Sequence, residues 1–394
     1  MFDGAFSRML TEAVGEATAA RVLAALSEAP SASIRLNPFR LGECTFEGAE
    51  PVPWSPFGFF LPERPNFTLD PLFHAGCYYV QDSSAMFVGH VLRSIIDNPP
   101  AGDTLDLRSR YDKAVLDLCA APGGKTTDAA ASLRERFGDG FLLIANEIVR
   151  KRFDVLRDNV ALWGDPRVAV TNLSPADLGA SGMTFDVILA DVPCSGEGMF
   201  RKEPKAVEDW SEETVAFCAE RQRGIIADIW PVLAAGGYLI YSTCTFNSAE
   251  NDDNVEWICS ELGAEVVPIP DFPPVVNTKY GKSLLPGFVR GEGQYVALLR
   301  KKMGVQDPET GRSIRYSFPA TEKEPETGPR FNVDRLTALR YLHGDALVLP
   351  DAPVGLLTIC YEGHPLGPAK NIGPRCNNLY PKSRRIRIDV PSAI

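Results

Sequence analysis

The sequence lacks the features of several common classes of protein. No cysteine stands in a CxxC pair, and nine cysteines with only four histidines argue against a disulfide framework and a zinc site. No apolar run approaches the roughly 20 residues that cross a bilayer. The opening stretch, MFDGAFSRML, lacks the basic-then-apolar pattern of a signal peptide. We therefore expect a cytoplasmic protein with no metal and no membrane contact.

The chain also lacks an excess of positive charge. Its 40 basic and 51 acidic side chains give a formal net charge of −11, which by itself does not favour nucleic-acid binding. The charge is uneven, however, because the stretch from residue 363 to the end has six basic residues against one acid, Asp389. A solvated surface is the more common meaning of such a cluster. Composition alone leaves an RNA contact open.

Helical and strand patterns divide the chain into three units and a linker. Residues 1–100 combine helical spacing over residues 3–28 with short strands, which predicts an N-terminal α+β region. From 101 to 303, apolar strands alternate with helices, as is typical of a doubly wound, Rossmann-like sheet of the α/β class. Residues 304–328 are rich in Pro, Glu, Thr and Gly and predict a linker. Residues 329–394 predict a small β-rich domain.

The central unit is predicted in more detail. We expect strands at 114–118, 141–145, 168–171, 187–190, 237–242 and 294–299, with helices at 125–137 and 148–163. Sheets of this kind bind ligands at the carboxyl ends of their strands. Residues that directly follow a predicted strand are therefore the first candidates for a functional site.

The first strand leads into a glycine-rich turn in AVLDLCAAPGGKTTDAA. Pro122, Gly123 and Gly124 precede a helix whose free amides favour negative charge, although the stretch is neither GxGxxG nor a P-loop. Glu147 ends the next strand, 22 residues beyond Lys125, where a ribose-binding acid is expected. A simple structural turn is the alternative. Together the two features indicate a cofactor that contains adenosine.

Two cysteines follow other strands of the same sheet. Cys194 lies in DVPCSGEGMF and Cys244 lies in YSTCTF, each directly after an apolar run. A cysteine in a reducing compartment is usually a small buried hydrophobe. The positions of these two predict instead that both thiols emerge at the ligand-binding edge of the sheet.

Three stretches carry a resemblance to a known family. In order, DLCAAPGGKT, DVPCSGEGMFRK and YSTCTFNSAEN resemble the motifs of the Nop/Sun family of S-adenosylmethionine-dependent RNA cytosine-5 methyltransferases. The likeness is strongest to the bacterial RsmF-like branch, which acts on small-subunit rRNA, and it covers about residues 30–300. GHPLGPAKNIGPRCNNLYPKS resembles the C-terminal RNA-binding domain of that branch. The resemblance implies S-adenosyl-L-methionine as cofactor and RNA, most of all rRNA or the small ribosomal subunit, as partner; we expect a monomer.

The family's chemistry gives each thiol a role. By resemblance, Cys244 is the nucleophile that adds to carbon 6 of cytosine, Cys194 assists release, and Asp191 hydrogen-bonds the base. Attack near neutral pH requires a thiolate, and the cation that stabilises it is expected to be either Lys125 or the methylsulfonium of the cofactor.

The resemblance also implies further contacts. The cofactor is expected to meet Cys119, Ala120, Ala121, Pro122, Gly123, Gly124, Lys125, Glu147 and Asp191. Near the adenine, where the family usually has an acid, this chain aligns Ser174, and Asp177 or a backbone amide is the alternative contact. RNA is expected to meet Arg35, Asn37, Arg201 and Lys202, and also Arg384, Arg385 and Arg387 of the basic C-terminal cluster.

Three other functions compete with rRNA methylation. A tRNA substrate would require the same chemistry. A DNA cytosine-5 methyltransferase would use the Pro193–Cys194 pair as nucleophile, but the sequence shows no large target-recognition insertion. A non-catalytic rRNA-binding assembly factor is disfavoured because Cys244, Asp191 and the glycine-rich turn are all intact.

Overall fold

The computed structural model describes residues 4–97, 113–303 and 328–390. These residues form an N-terminal unit, a central unit and a C-terminal unit. The predicted linker, 304–328, lies outside the described residues except for Gly328, and so do residues 98–112 at the predicted start of the central unit.

The N-terminal unit combines helices with a small antiparallel sheet of order β2-β3-β1-β4. Its helices and strands are α1 (Gly4–Val14), α2 (Glu16–Ala25), β1 (Ala32–Leu36), β2 (Glu50–Pro51), β3 (Gly58–Leu61), α3 (Pro71–His74), β4 (Tyr78–Val80) and α4 (Phe87–Asp97). The predicted helical segment is present as α1 and α2, and short strands accompany it as predicted. Helix α4 begins at Phe87, after a local turn in which the Asp82 carboxylate accepts from the Ser84 amide.

The central unit is a nine-stranded sheet with helices on both faces. Its strands are β5 (Lys113–Asp117), β6 (Phe141–Asn146), β7 (Val168–Thr171), β8 (Phe185–Asp191), β9 (Leu233–Thr243), β10 (Ala264–Val266), β11 (Val276–Asn277), β12 (Lys282–Leu284) and β13 (Gln294–Lys301). Its helices are α5 (Gly124–Phe137), α6 (Arg150–Trp163), α7 (Pro175–Gly179), α8 (Pro204–Glu208), α9 (Glu212–Ile229) and α10 (Asp252–Leu262). All six predicted strands and both predicted helices are present, with ends shifted by a few residues.

The strand order is β11-β12-β13-β9-β8-β5-β6-β7, with β10 paired to β13. Strands β5 to β9 are parallel, as predicted, whereas β13 runs antiparallel to β9. Consecutive residues of a strand point to opposite faces of the sheet. Val115 packs in the core between the sheet and α4, α5 and α6, and Leu116 packs in the core between the sheet and α7, α9 and α10. Burial on both faces explains why these strands are continuous apolar runs.

The C-terminal unit is a four-stranded sheet with one helix. It consists of β14 (Arg330–Asn332), α11 (Arg335–His343), β15 (Gly355–Tyr361), β16 (His364–Asn371) and β17 (Cys376–Asn378), in the sheet order β14-β15-β16-β17. The β-rich prediction is confirmed, and α11, capped by Asp334, is an addition to it. Buried Tyr341 and Leu342 of this unit share one apolar core with Ile34 and Tyr78 of the N-terminal unit.

Candidate active site

The two cysteines meet because their strands are neighbours. Strands β8 and β9 are parallel and pair Asp191 with Ser242, so both strands end at the same edge of the sheet. Cys194 and Cys244 follow these ends, and their Sγ atoms lie 3.1 Å apart as free thiols. The predicted convergence of the two thiols is therefore observed.

Cys194 has a perturbed pKa. The hydrogen bond to Cys244 raises the pKa of Cys194 well above its usual value, and burial adds to this effect. Cys194 therefore holds its proton and can donate it toward the Cys244 sulfur.

An ion pair lies beside the thiols. Lys125 Nζ is 2.8 Å from Asp191 Oδ2, and the two side chains are 14% and 29% exposed, so the pair opens on the site. Burial disfavours the charge on Lys125, but the ion pair and hydrogen bond with Asp191 outweigh it and raise the Lys125 pKa. The negative charge of a Cys244 thiolate acts on Lys125 in the same direction. Lys125 is therefore a cation that the protein itself places near the Cys244 thiol.

Two residues that the sequence did not indicate hold Asp191 in place. Ser242 Oγ donates to Asp191 Oδ1 at 2.8 Å, and Gln294 Nε2 donates to the same oxygen at 3.1 Å. Oδ1 is thus fully engaged, while Oδ2 accepts only from Lys125 among the described residues. The remaining acceptor site of Oδ2 is available to a bound molecule.

The predicted cofactor turn is held from several sides. It runs from Cys119 through Ala120 and Ala121 to Gly124, and Arg152 Nη2 donates to the Ala121 carbonyl at 2.8 Å. Gly123 has φ +114°, a conformation that disfavours any side chain, and it caps the start of α5. Burial strongly raises the pKa of Cys119, which therefore remains an unreactive thiol.

Two acids near this turn have spare acceptor atoms. Asp117 Oδ1 and Glu147 Oε2 are buried and accept no hydrogen bond from any described residue, although Arg152 Nη1 lies 3.4 Å from Glu147. Burial raises the pKa of Asp117 to about 7, against the lowering effect of its hydrogen bond from Thr126. Buried acceptors without donors are unfavourable unless a ligand supplies the donors.

Apolar surface lies next to Glu147. Ile148 is 49% exposed and Leu173 is 37% exposed, which is unusual for large aliphatic side chains. Carboxylate oxygens that can accept from ribose hydroxyls, next to an exposed apolar surface, fit an adenosine group. The residues present therefore suit the cofactor that the turn predicts.

Ser174 follows β7 at the same edge. Its hydroxyl accepts from the Asp177 amide at 3.1 Å, and the Asp177 carboxylate accepts from the Ser174 hydroxyl at 2.6 Å. The two residues form the capping box of α7. Contact of either with an adenine remains a prediction.

Three of the residues predicted to bind RNA are buried, and this corrects the prediction. Arg35 has no exposed surface and donates to Gln81 and to the Gly124 carbonyl. Asn37, 1% exposed, donates to two backbone carbonyls. Arg201, with its side chain 5% exposed, pairs with Glu292 at 2.6 Å. These side chains cannot reach RNA in this structure, because each satisfies buried polar groups of the protein.

The other predicted RNA contacts lie at the surface. Lys202 is partly exposed and pairs with Asp82 at 3.2 Å. In the C-terminal unit, Arg384 and Arg385 are half-buried and Arg387 is exposed. An RNA contact by these four residues remains a prediction. Among the residues that the structure describes, no group of side chains is arranged to hold a metal ion, and no helix is long and apolar enough to span a bilayer.

Three family models match successive parts of the chain. The model for 16S rRNA methyltransferase RsmB/F matches residues 104–300, half of the chain. The model for the N-terminal domain of 16S rRNA methyltransferase RsmF matches residues 2–83, and the model for the methyltransferase RsmF PUA domain matches residues 329–386.

Curated relatives have consistent names. Ribosomal RNA small subunit methyltransferase F of Serratia proteamaculans is 35% identical over 267 residues, which cover 65% of this chain and 52% of the relative. The protein of the same name from Klebsiella pneumoniae is 34% identical, over 73% of this chain and 61% of the relative. The chain thus spans about half to three fifths of the length of these relatives.

Solved structures share the fold. A methyltransferase homologue from Pyrococcus horikoshii aligns with a TM-score of 0.61 and 25% identity, over 75% of this chain and 94% of the other. NSun6 from the same organism, solved with SFG, aligns with a TM-score of 0.62 and 19% identity, over 77% of this chain and 99% of the other. These likenesses show the Rossmann-like methyltransferase fold.

Proposed function

This chain belongs to the family of 16S rRNA methyltransferases described as RsmB/F, and we propose that it methylates carbon 5 of a cytosine in small-subunit rRNA. The observation that supports this proposal most strongly is the pair of free thiols 3.1 Å apart beside a Lys–Asp ion pair. Carbon 5 of cytosine is a weak nucleophile, so a reaction there needs a group that first adds to carbon 6.

The first step is addition. The Cys244 thiol gives its proton to water, and the thiolate beside Lys125 then forms a bond from Sγ to carbon 6 while ring nitrogen 3 takes a proton from water, which it returns to water when the product is released. The electron pair of the former double bond then makes carbon 5 nucleophilic. Negative charge leaves the Cys244 sulfur during this step. Lys125 and the Cys194 thiol already lie beside that sulfur, so they can stabilise the charge without reorganising and thereby lower the barrier.

The cofactor that fits the site is S-adenosyl-L-methionine, which supplies an electrophilic methyl group when bound. We propose that Glu147 accepts from the ribose hydroxyls and that Ile148 and Leu173 cover the adenine. The turn from Cys119 to Lys125 would lie along the rest of the molecule.

The last step is release. Carbon 5 gives its proton to a base, for which water serves, and the electron pair restores the double bond as the carbon 6 to sulfur bond breaks. The departing sulfur carries negative charge, and the proton that Cys194 holds allows its thiol to donate to that sulfur. Two thiols are useful because one forms the bond and the other helps to break it.

Asp191 is proposed to read the base. Its Oδ1 is occupied by Ser242 and Gln294, which leaves Oδ2 to accept from the exocyclic amino group or the protonated ring nitrogen of cytosine. Uracil carries a carbonyl in place of the amino group, so the same carboxylate would repel it.

The proposal is tested by incubating the purified protein and S-adenosylmethionine with 16S rRNA, with small ribosomal subunits or with tRNA. Mass spectrometry of the digested nucleosides then detects 5-methylcytidine. We expect it in the rRNA or subunit samples and not in tRNA. Modification of tRNA alone would replace the substrate, and no modification of any RNA would support an rRNA-binding assembly factor instead.

Glu147→Gln is expected to weaken cofactor binding. The substitution keeps the shape but removes the charge that the ribose hydroxyls would meet, so the Kd for S-adenosylmethionine should rise about 10- to 100-fold. Titration calorimetry measures this directly. Asp154→Asn, an exposed acid on α6, is the matched control and should leave the Kd unchanged. Equal Kd values for Glu147→Gln and the parent would contradict the ribose assignment.

A further inference from the structure

The loop that carries Cys194 is tied to a buried acid, Glu250, in the turn just before α10. Glu250 has no exposed surface, and its Oε2 accepts from the Ser195 amide at 3.0 Å and from Gln222 Nε2 at 2.7 Å. Gln222 Nε2 also donates to the Pro193 carbonyl at 2.9 Å. The residues on both sides of Cys194 are therefore held by Glu250, one directly and one through Gln222.

The next residue along the chain holds the other thiol in the same way. Asn251 is 4% exposed, its Oδ1 accepts from Thr243 Oγ1 at 2.6 Å, and its Nδ2 donates to the Thr245 carbonyl at 3.1 Å. Thr243 and Thr245 are the neighbours of Cys244. Two consecutive residues thus hold the flanks of two cysteines that are 50 positions apart.

The two loops are also joined to each other. Ser195 Oγ lies 3.0 Å from Thr245 Oγ1, and Asn247 Nδ2 lies 2.9 Å from both Glu250 Oε1 and Thr245 Oγ1. The Gly198 amide donates to the Cys244 carbonyl at 2.7 Å, and a methyl group at Gly198 would lie 2.8 Å from that oxygen. The network is buried, and a polar network inside a protein fixes geometry only while every member is satisfied.

We propose that Glu250 and Asn251 are positioning residues that act on different steps of the reaction. Glu250 places Cys194 and governs release, whereas Asn251 places Cys244 and governs addition. This inference rests on the proposed function, because it assumes that each thiol serves one step. Neither side chain is expected to touch RNA or cofactor.

The contacts show which substitutions separate the two effects. The Glu250 carboxylate accepts from three donors, the Ser195 amide, Gln222 Nε2 and Asn247 Nδ2. Glu250→Gln keeps the side-chain volume but places an NH2 group, itself a donor, opposite at least one of them, so that hydrogen bond is lost. Asn251 uses one acceptor and one donor, so Asn251→Asp keeps the bond from Thr243 and loses the bond to Thr245. Both variants keep the shape of the core.

The test follows the covalent protein–RNA adduct and 5-methylcytidine together in single-turnover reactions with 16S rRNA. We expect Glu250→Gln to form adduct at the parent's rate and to release it about tenfold more slowly, so that adduct accumulates. We expect Asn251→Asp to form adduct about tenfold more slowly, with none accumulating. In both variants kcat should fall while KM and the Kd of S-adenosylmethionine stay within about twofold of the parent.

Controls separate positioning from damage to the fold. Glu256→Gln is the same chemical change at an exposed position of α10 and should behave as the parent. Gln222→Met removes the donor to the Pro193 carbonyl, together with the acceptor that Tyr241 and Asn254 use, and should slow release in the same direction as Glu250→Gln, which keeps the test valid if Glu250→Gln unfolds. Thermal unfolding checks each variant.

Two results would overturn the inference, and they differ from each other. In the first, the parent forms 5-methylcytidine but the Glu250 and Asn251 variants share one defect or show none. That result would contradict the separate roles of Glu250 and Asn251 and leave the proposed function intact. A parent that forms neither adduct nor 5-methylcytidine would remove the proposed function and this inference with it.

Discussion

Cys244→Ala is expected to abolish methylation, with a loss of roughly a thousandfold or more in kcat, because it removes the sulfur that is proposed to bond to carbon 6. Cys194 is the other thiol at the site; the substitution removes its hydrogen bond to Cys244, but burial still raises its pKa, so it is expected to remain a poor substitute. RNA and cofactor binding should be almost unchanged, since the substitution removes only the Cys244 thiol group.

The measurement is the initial rate of methyl transfer from labelled S-adenosylmethionine, with RNA binding measured separately. Cys259→Ala is the matched control, because Cys259 lies on α10 away from the site and should keep the parent's rate. A Cys244→Ala protein that retained a substantial rate would mean that the roles of the two cysteines are reversed.

Arg35→Ala is expected to destabilise the folded protein by about 3–5 kcal/mol, the range for a buried charge removed from its partners. The guanidinium is fully buried, stacks 4.7 Å from the Trp163 ring and donates to Gln81, Thr127 and the Gly124 carbonyl. Its removal leaves a cavity and several unpaired acceptors between the N-terminal sheet and α5.

Urea unfolding followed by circular dichroism measures this loss. Arg136→Ala on α5 is the control, because its side chain is 44% exposed in a surface ion pair and its loss should cost less than about 1 kcal/mol. The Kd of S-adenosylmethionine should rise as well in Arg35→Ala, since Gly124 belongs to the predicted cofactor turn. A midpoint and slope equal to those of the parent would contradict this role of Arg35.

The sequence predicts the central sheet well because local patterns determine it. Apolar runs buried on both faces, glycine at the turn into α5 and an acid at the end of β6 are all readable from neighbouring residues. The convergence of Cys194 and Cys244 follows from the same rule, because parallel strands end at one edge of a sheet.

Contacts between distant segments could not be predicted. Arg35 looks like a surface residue in the sequence, and only the packing of β1 against α5 buries it beside Gly124, 89 positions away. Ser242 and Gln294 hold Asp191 across β9 and β13, and the antiparallel direction of β13 has no local signal. The roles of Glu250 and Asn251 likewise depend on partners in three separate loops and helices.

The overall negative charge is compatible with an RNA substrate. Basic residues are concentrated at the end of the chain, where Arg384, Arg385 and Arg387 belong to a unit that shares its core with the N-terminal sheet. A local basic surface can hold phosphates although the total charge is −11.

The most direct test of the two-thiol account is the mass of the covalent complex that Cys194→Ala forms with 16S rRNA and S-adenosylmethionine. After digestion of protein and RNA, we predict a peptide that contains Cys244 linked to a methylated cytidine, accumulating because release has lost its donor. The parent should show the same adduct only transiently. An adduct on any other cysteine, or free 5-methylcytidine formed by Cys194→Ala at the parent's rate, would contradict the assigned roles.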